Sequence, residues 1–199
     1  MQEAVKPTST SGEDLAAVLA RWQAEEAAVR ARLRPEQGVA RPEQLAGKTG
    51  LQQMQAMLDG ELPAPPIADT LDFLLLSVAP GQAVFQGQPR FRHYNPLGTV
   101  HGGWFATLLD SALGCAVHTT LDPGRGYTTL ELKLNLVRAL SDRVPLVRAI
   151  GNVRHVGRQM ATAEADLVGP DGKLGWVQQI GVGGQEGQVV VEVFLEEGV

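Results

Sequence analysis

From Gly102 to Leu121 the chain runs for twenty residues with a single charged side chain, Asp110. A segment rich in Ala, Leu, Trp and Phe at that length exceeds an ordinary strand of about 5–6 residues, and most of it is read as a buried helix. A helix apolar over most of its circumference must be covered by something else in the chain. The sequence around it predicts what that cover is. Phe73 to Val78 and Gln82 to Gln86 read as two strands joined at the Pro80-Gly81 turn. After the Asp122-Pro123-Gly124 turn, Thr128 to Arg138 alternates, with Leu130, Leu132, Leu134 and Leu136 on one face and Thr129, Glu131, Lys133 and Asn135 on the other. Val144 to Val156, Gln159 to Val168 and Lys173 to Val182 continue as strands, broken at Gly157-Arg158 and at Gly169-Pro170-Asp171-Gly172. Val189 to Leu195 is a candidate final strand near the end of the chain. Two strands, one buried helix and a run of antiparallel strands make an α+β fold in which the sheet covers the helix.

The first fifty residues have a different texture. Ser11 to Arg34 reads as an amphipathic helix, begun by Ser11 or Asp14, with Leu15, Val18, Leu19, Trp22, Val29 and Leu33 at helical spacing. Its acids lie early and its arginines late, as the helix macrodipole favours. Pro35 ends it, a linker runs to about Gly50, and a short helix is predicted over Leu51 to Leu58. The organisation expected is a helical extension over residues 1–50, the main domain over 51–184 and a tail or extra strand over 185–199.

Composition narrows the function. No uninterrupted apolar run approaches the roughly 20 residues needed to cross a bilayer, and Met1 to Gly12 lacks the apolar core of a secretory signal, so a cytoplasmic location is expected. The net charge of −5 argues against nucleic acid as a partner. Cys115 is the only cysteine, which excludes an internal disulfide, and the four histidines show no metal-ligand spacing; no metal and no cofactor are expected. From Lys133 to Arg158 six cations face one acid, Asp142. That stretch is either a seat for an anion or a solvated basic face.

Chemistry concentrates on the apolar helix. Its start, from Asn95 through His101-Gly102-Gly103, reads either as a plain Asn-Pro turn or as a helix N-terminus whose backbone N–H groups meet a negative charge. Glycine lets a substrate carbonyl approach the backbone closely enough for an amide to stabilise an oxyanion. Asp110 is the anomaly, because a carboxylate in such a helix is costly unless it is hydrogen-bonded or functional. Gly103, Thr107, Asp110 and Gly114 share one small-sided stripe, a shallow groove suited to a narrow thioester. His101 and Asn95 either touch the reacting group or fix the turn. Cys115 and His118, three residues apart, form an alternative nucleophile pair, against the reading of Cys115 as a small core residue.

At these residues the chain resembles the acyl-CoA thioesterases of the hotdog superfamily, of the phenylacetate-pathway type. The shared signature is Asn95, Gly98, His101-Gly102-Gly103 and Asp110, together with the strand from Thr128 and the His155-to-Arg158 turn, over about Leu51 to Gly184. The resemblance implies a long central helix wrapped by an antiparallel sheet, and hydrolysis of an acyl-CoA. It implies Asp110 as nucleophile or general base, the Gly102 amide polarising the carbonyl, and Asn95 and His101 positioning thioester or water. Thr129, or Thr128 with a one-residue shift, would assist the water, and Gly157-Arg158 would lie near the coenzyme A phosphates. It further implies sites shared across a homodimer, often paired into a homotetramer. A hotdog dehydratase or hydratase and a non-catalytic acyl-CoA sensor are the competing readings. The first fifty residues depart from the minimal pattern of the family.

Overall fold

The computed structural model describes residues 14–134, 138–172 and 189–197. Four helices, α1 (Leu15–Arg30), α2 (Pro42–Leu45), α3 (Gly50–Leu58) and α4 (Pro66–Thr70), precede the hairpin β1 (Phe73–Ala79) and β2 (Gln82–Gly87). A 3-10 turn at Phe91–His93 leads to α5 (Gly102–His118), followed by β3 (Arg125–Lys133), β4 (Val147–Val156), β5 (Met160–Val168) and β6 (Val189–Glu197). The strands form one antiparallel sheet in the order β1-β2-β4-β5-β6-β3. It wraps α5, as the apolar helix requires. Leu108, Leu109, Ala112, Leu113, Ala116 and Val117 have no exposed surface at all. Two strand glycines let the helix come close: a Cβ on Gly151 would stand 2.3 Å from the Ala112 carbonyl oxygen, and one on Gly87 would press on Trp104 and Leu108.

The last strand is not a marginal addition. β6 lies between β5 and β3 and pairs with both, so the chain end closes the sheet. The expected strand over Lys173 to Val182 and the residues Asn135 and Leu136 lie outside the described residues.

Strict alternation along β3 does not hold. A bulge between Thr129 and Glu131 inserts Leu130 as an extra residue, and Leu130 is 55% exposed. Without the bulge, Thr129 and Leu132, three residues apart, would point to opposite faces of the strand. With it, Thr129 bonds to α5 while Leu132 still packs on the core. The regular leucine pattern predicted one continuous apolar face; the structure breaks it where a hydroxyl has to face the helix.

The N-terminal helices wrap the β1 side of the sheet. Asp14 caps α1, its Oδ1 accepting from the Ala16 amide at 3.3 Å. Val18, Trp22 and Val29 are buried, and α1 covers the sheet face opposite α5. Arg148 of β4 lies 4.2 Å from the Trp22 ring centroid and donates to Glu25 at 2.5 Å. It also donates to the fully buried Gln86, whose amide reaches Glu26 at 2.7 Å. Burial lowers the Arg148 pKa from its ordinary value, with Glu25 opposing. Thr49 and Gln52 cap α3 reciprocally. Gly50 then abuts the end of α5, its amide donating to Leu121 O at 2.9 Å.

Candidate active site

The turn before α5 is built by Asn95. Its Oδ1 accepts from the Leu97 and Thr99 amides at 2.9 and 3.2 Å, and its Nδ2 donates to Thr99 Oγ1 at 3.0 Å. Both ends of the Asn95 side chain therefore serve the turn. His101 is the N-cap residue, extended at φ −63° and ψ 136°, and its Nδ1 accepts from the Gly103 amide at 2.8 Å. With Nδ1 accepting, Nε2 carries the N–H. The Trp104 amide bonds to His101 O. Among the described residues the Gly102 amide has no hydrogen-bond partner, at the positive end of a seventeen-residue helix.

Asp110 is partly buried, and Thr129 Oγ1 donates to its Oδ1 at 3.0 Å. Among the described residues Oδ2 accepts no hydrogen bond. The carboxylate is thus oriented by one oxygen and available through the other. Thr129 rather than Thr128 makes the contact. Gly102 and Asp110 are eight residues apart, about 12 Å along the helix axis at ~1.5 Å per residue. One chain cannot bring its own Gly102 amide and Asp110 carboxylate to the same carbonyl.

The groove stripe is only partly open. Thr107 Oγ1 turns back to Gly103 O at 2.9 Å. Gly114 is covered by Tyr127, as a Cβ there would fall 2.5 Å from the phenol oxygen. Gly157 and Arg158 stand apart from Asp110: the Arg158 carbonyl accepts from Arg125 at 3.0 Å, and Arg125 precedes Thr129 by four residues, about 13 Å along the strand. The basic stretch is not a single anion seat, since Arg148 belongs to the α1 contact and Arg154 pairs with Glu164.

The Cys115–His118 pair does not form. His118 Nε2 lies 3.0 Å from Gln53 Oε1, and burial lowers the His118 pKa. The Cys115 thiol is pushed up to about 12 by burial first and the Asp110 charge second, with a hydrogen bond from Tyr127 opposing. A thiol held protonated in this way is no nucleophile at neutral pH. Cys115 is a core-side residue, as its apolar helix implied.

Two features were missed in the sequence. A cleft of about 370 Å³ opens beside His101, walled by Arg92, His93, Tyr94, Trp104 and Thr107. Asp72, at φ 53°, anchors its far wall through ion pairs to Arg90 at 3.1 Å and to Arg92, with His93 Nε2 3.2 Å from its carboxylate. Burial lowers the His93 pKa, with Asp72 opposing, and the ring stacks on Trp104. The second is Tyr127. Its place two residues before Thr129, on the same strand face, was the available signal. Among the described residues no three His, Cys, Asp or Glu side chains gather as metal ligands, and no helix is long and apolar enough to cross a membrane.

Known proteins resemble this chain in sequence and in fold. Residues 97–175 match the thioesterase superfamily model, a span that holds the helix, Asp110 and Thr129. The chain is a hotdog-fold thioesterase. No curated protein sequence matches it. The TT0310 protein of Thermus thermophilus shares 27% identity over 65% of this thioesterase and 96% of that chain, with a TM-score of 0.52. A variant of the phenylacetic acid degradation protein PaaI from the same organism shares 26% over 65% and 97%, also at 0.52. A thioesterase family protein of Silicibacter pomeroyi, 20% identical over 67% and 90% with a TM-score of 0.56, shares the fold. Hydrolysis of an acyl thioester is the general activity that this match supports.

Proposed function

We propose that this thioesterase hydrolyses acyl-coenzyme A at a site shared by two copies of the chain, Asp110 from one and the Gly102 amide from the other. The observation that carries the reading is the Asp110 carboxylate, held at one oxygen by Thr129 on a helix with no other charge before His118. Charge spacing supports the shared site, because about 12 Å separates the two groups within a chain and a two-fold axis would set helix N-terminus against helix middle.

The thioester carbonyl oxygen accepts from the Gly102 N–H, a donor with no partner of its own, and the helix dipole favours the charge that develops there. Asp110 Oδ2 either takes a proton from a water that attacks the carbonyl carbon or attacks that carbon itself. On the first route the C–S bond breaks as the water oxygen bonds to the carbon; on the second it breaks to leave an acyl-Asp110 anhydride, which a water then cleaves. On both, the coenzyme leaves as thiol after taking up a proton and the acid is released. Thr129 orients the carboxylate. Asn95 and His101 position the Gly102 amide by fixing the turn, and Gly103 and Thr107 line the approach. No cofactor enters this scheme.

The test follows free thiol release from a panel of acyl-CoAs. Asp110→Asn keeps the shape and removes the charge, so kcat should fall by about 10²–10⁴-fold with KM little changed. An Asn variant as active as the parent ends the proposal.

A further inference from the structure

We infer that Tyr127 is the stop that sets acyl length in this thioesterase, and that an apolar cavity behind it is the room a longer chain would occupy. The inference rests on the reading of Asp110 as the reacting carboxylate.

Tyr127 and Thr129 lie on the same face of β3, about 6.6 Å apart along the strand. Thr129 holds Asp110, so the phenol ring is the next side chain beyond the carboxylate. The ring is seated on the helix itself. A Cβ on Gly114 would fall 2.5, 2.7 and 2.9 Å from three atoms at the phenol end, so only glycine lets Tyr127 lie there. Gly114 follows Asp110 by four residues, about 6 Å along the axis. The ring also rests on His118, with centroids 5.8 Å apart, and its hydroxyl meets the Cys115 thiol. Burial raises the Tyr127 pKa well above its ordinary value, so the stop is an uncharged one.

Behind this ring, Cys115 lines a cavity of about 70 Å³ with Met54, Met57, Ala68, Leu75 and Phe85. Cys115 keeps part of its surface accessible and lines this cavity. Met54, Met57 and Ala68 come from α3 and α4, so the helices before β1 supply that wall. A cavity of roughly 150 Å³ with similar apolar walls accepts benzene, so this one has room for about three or four carbons.

The groove has a polarity. Toward the helix N-terminus lie Thr107, Gly103 and His101, suited to the amides of a pantetheine arm. Toward the C-terminus lie Gly114 and Tyr127, and past them His118, Cys115 and the apolar wall of the cavity. An acyl chain whose carbonyl sits at Asp110 meets the phenol ring after about 6 Å, a few methylenes of an extended chain. The substrate class is therefore short acyl-CoA.

Kinetics of butyryl-, hexanoyl-, octanoyl- and decanoyl-CoA hydrolysis by the full chain and its Tyr127 variants decide the matter. The parent should favour butyryl-CoA. In Tyr127→Ala the octanoyl-to-butyryl ratio of kcat/KM should rise at least tenfold, since one methylene in an apolar pocket discriminates by about 10–200-fold. Tyr127→Leu, a gentler change for a chain that tolerates Ala poorly, should raise it in the same direction. Adding Ala68→Phe to either variant refills the cavity and should return the ratio toward the parental value. A parent that prefers octanoyl-CoA, or variants with the parental ratio, overturns the stop. A parent that hydrolyses no acyl-CoA at all overturns the reading of the site beneath it.

Discussion

Replacing Gly102 by proline removes the N–H from the proposed oxyanion site and sets a pyrrolidine ring beside it. Gly102 is the first residue of α5, the position where proline is most welcome in a helix, because its amide has no intrahelical partner. The preceding residue, His101, has ψ 136°, within the extended region that a following proline demands. No hydrogen bond of the Gly102 amide is lost among the described residues. The fold should be unharmed, and exchange of glycine for proline at a compatible site gains about 0.4–1 kcal/mol by restricting the unfolded chain. The reaction should suffer. Loss of a single oxyanion donor costs about 2.7–4 kcal/mol, or about 10²–10³ in kcat. Thermal melts paired with thiol-release kinetics separate the two effects. A folded Gly102→Pro protein with kcat within a few-fold of the parent refutes the assignment of that amide.

Two further outcomes follow from the fold. Trp22→Ala empties a buried aromatic site and strips Arg148 of its ring, which should cost about 3–5 kcal/mol in urea unfolding; an unchanged midpoint contradicts the packing of α1 on the sheet. Buried His118 and His93 have pKa values below the ordinary 6.5, from burial in each case, so the unfolded chain takes up protons first as acid is added. Their contribution is complete above about pH 6.5 and is lost as pH falls through the folded values. Melting temperature should therefore drop below pH 6.5, and His118→Gln should flatten part of that drop; parallel curves contradict the assignment.

Much of this fold was legible because the sequence patterns are governed by local rules. The uncharged run required a covered helix, the Pro80-Gly81 signal fixed the first hairpin, and Asp14 stood with Ser11 as a candidate start of α1. What escaped depends on contacts between distant segments. The bulge at Leu130 is invisible in a regular leucine alternation, since only the need for Thr129 to reach Asp110 while Leu132 stays inside creates it. Tyr127 on Gly114 joins a strand to a helix turn, and neither residue announces the other. The ion cluster on Asp72 draws three partners from some twenty residues away. Asp110 itself was readable, because one charge among apolar neighbours is a local anomaly. Asn95 was readable as a turn residue, and its hydrogen bonds place it there.

The central claim is that two copies complete each site, and hybrid molecules of two inactive variants test it most directly. Asp110→Asn and Gly102→Pro chains, unfolded together and refolded, should pair at random, leaving half of the dimers hybrid with one intact site of two. Activity should recover to about a quarter of the parental level although each variant alone is inactive. A mixture no more active than its components would place both groups in a single chain and contradict the account.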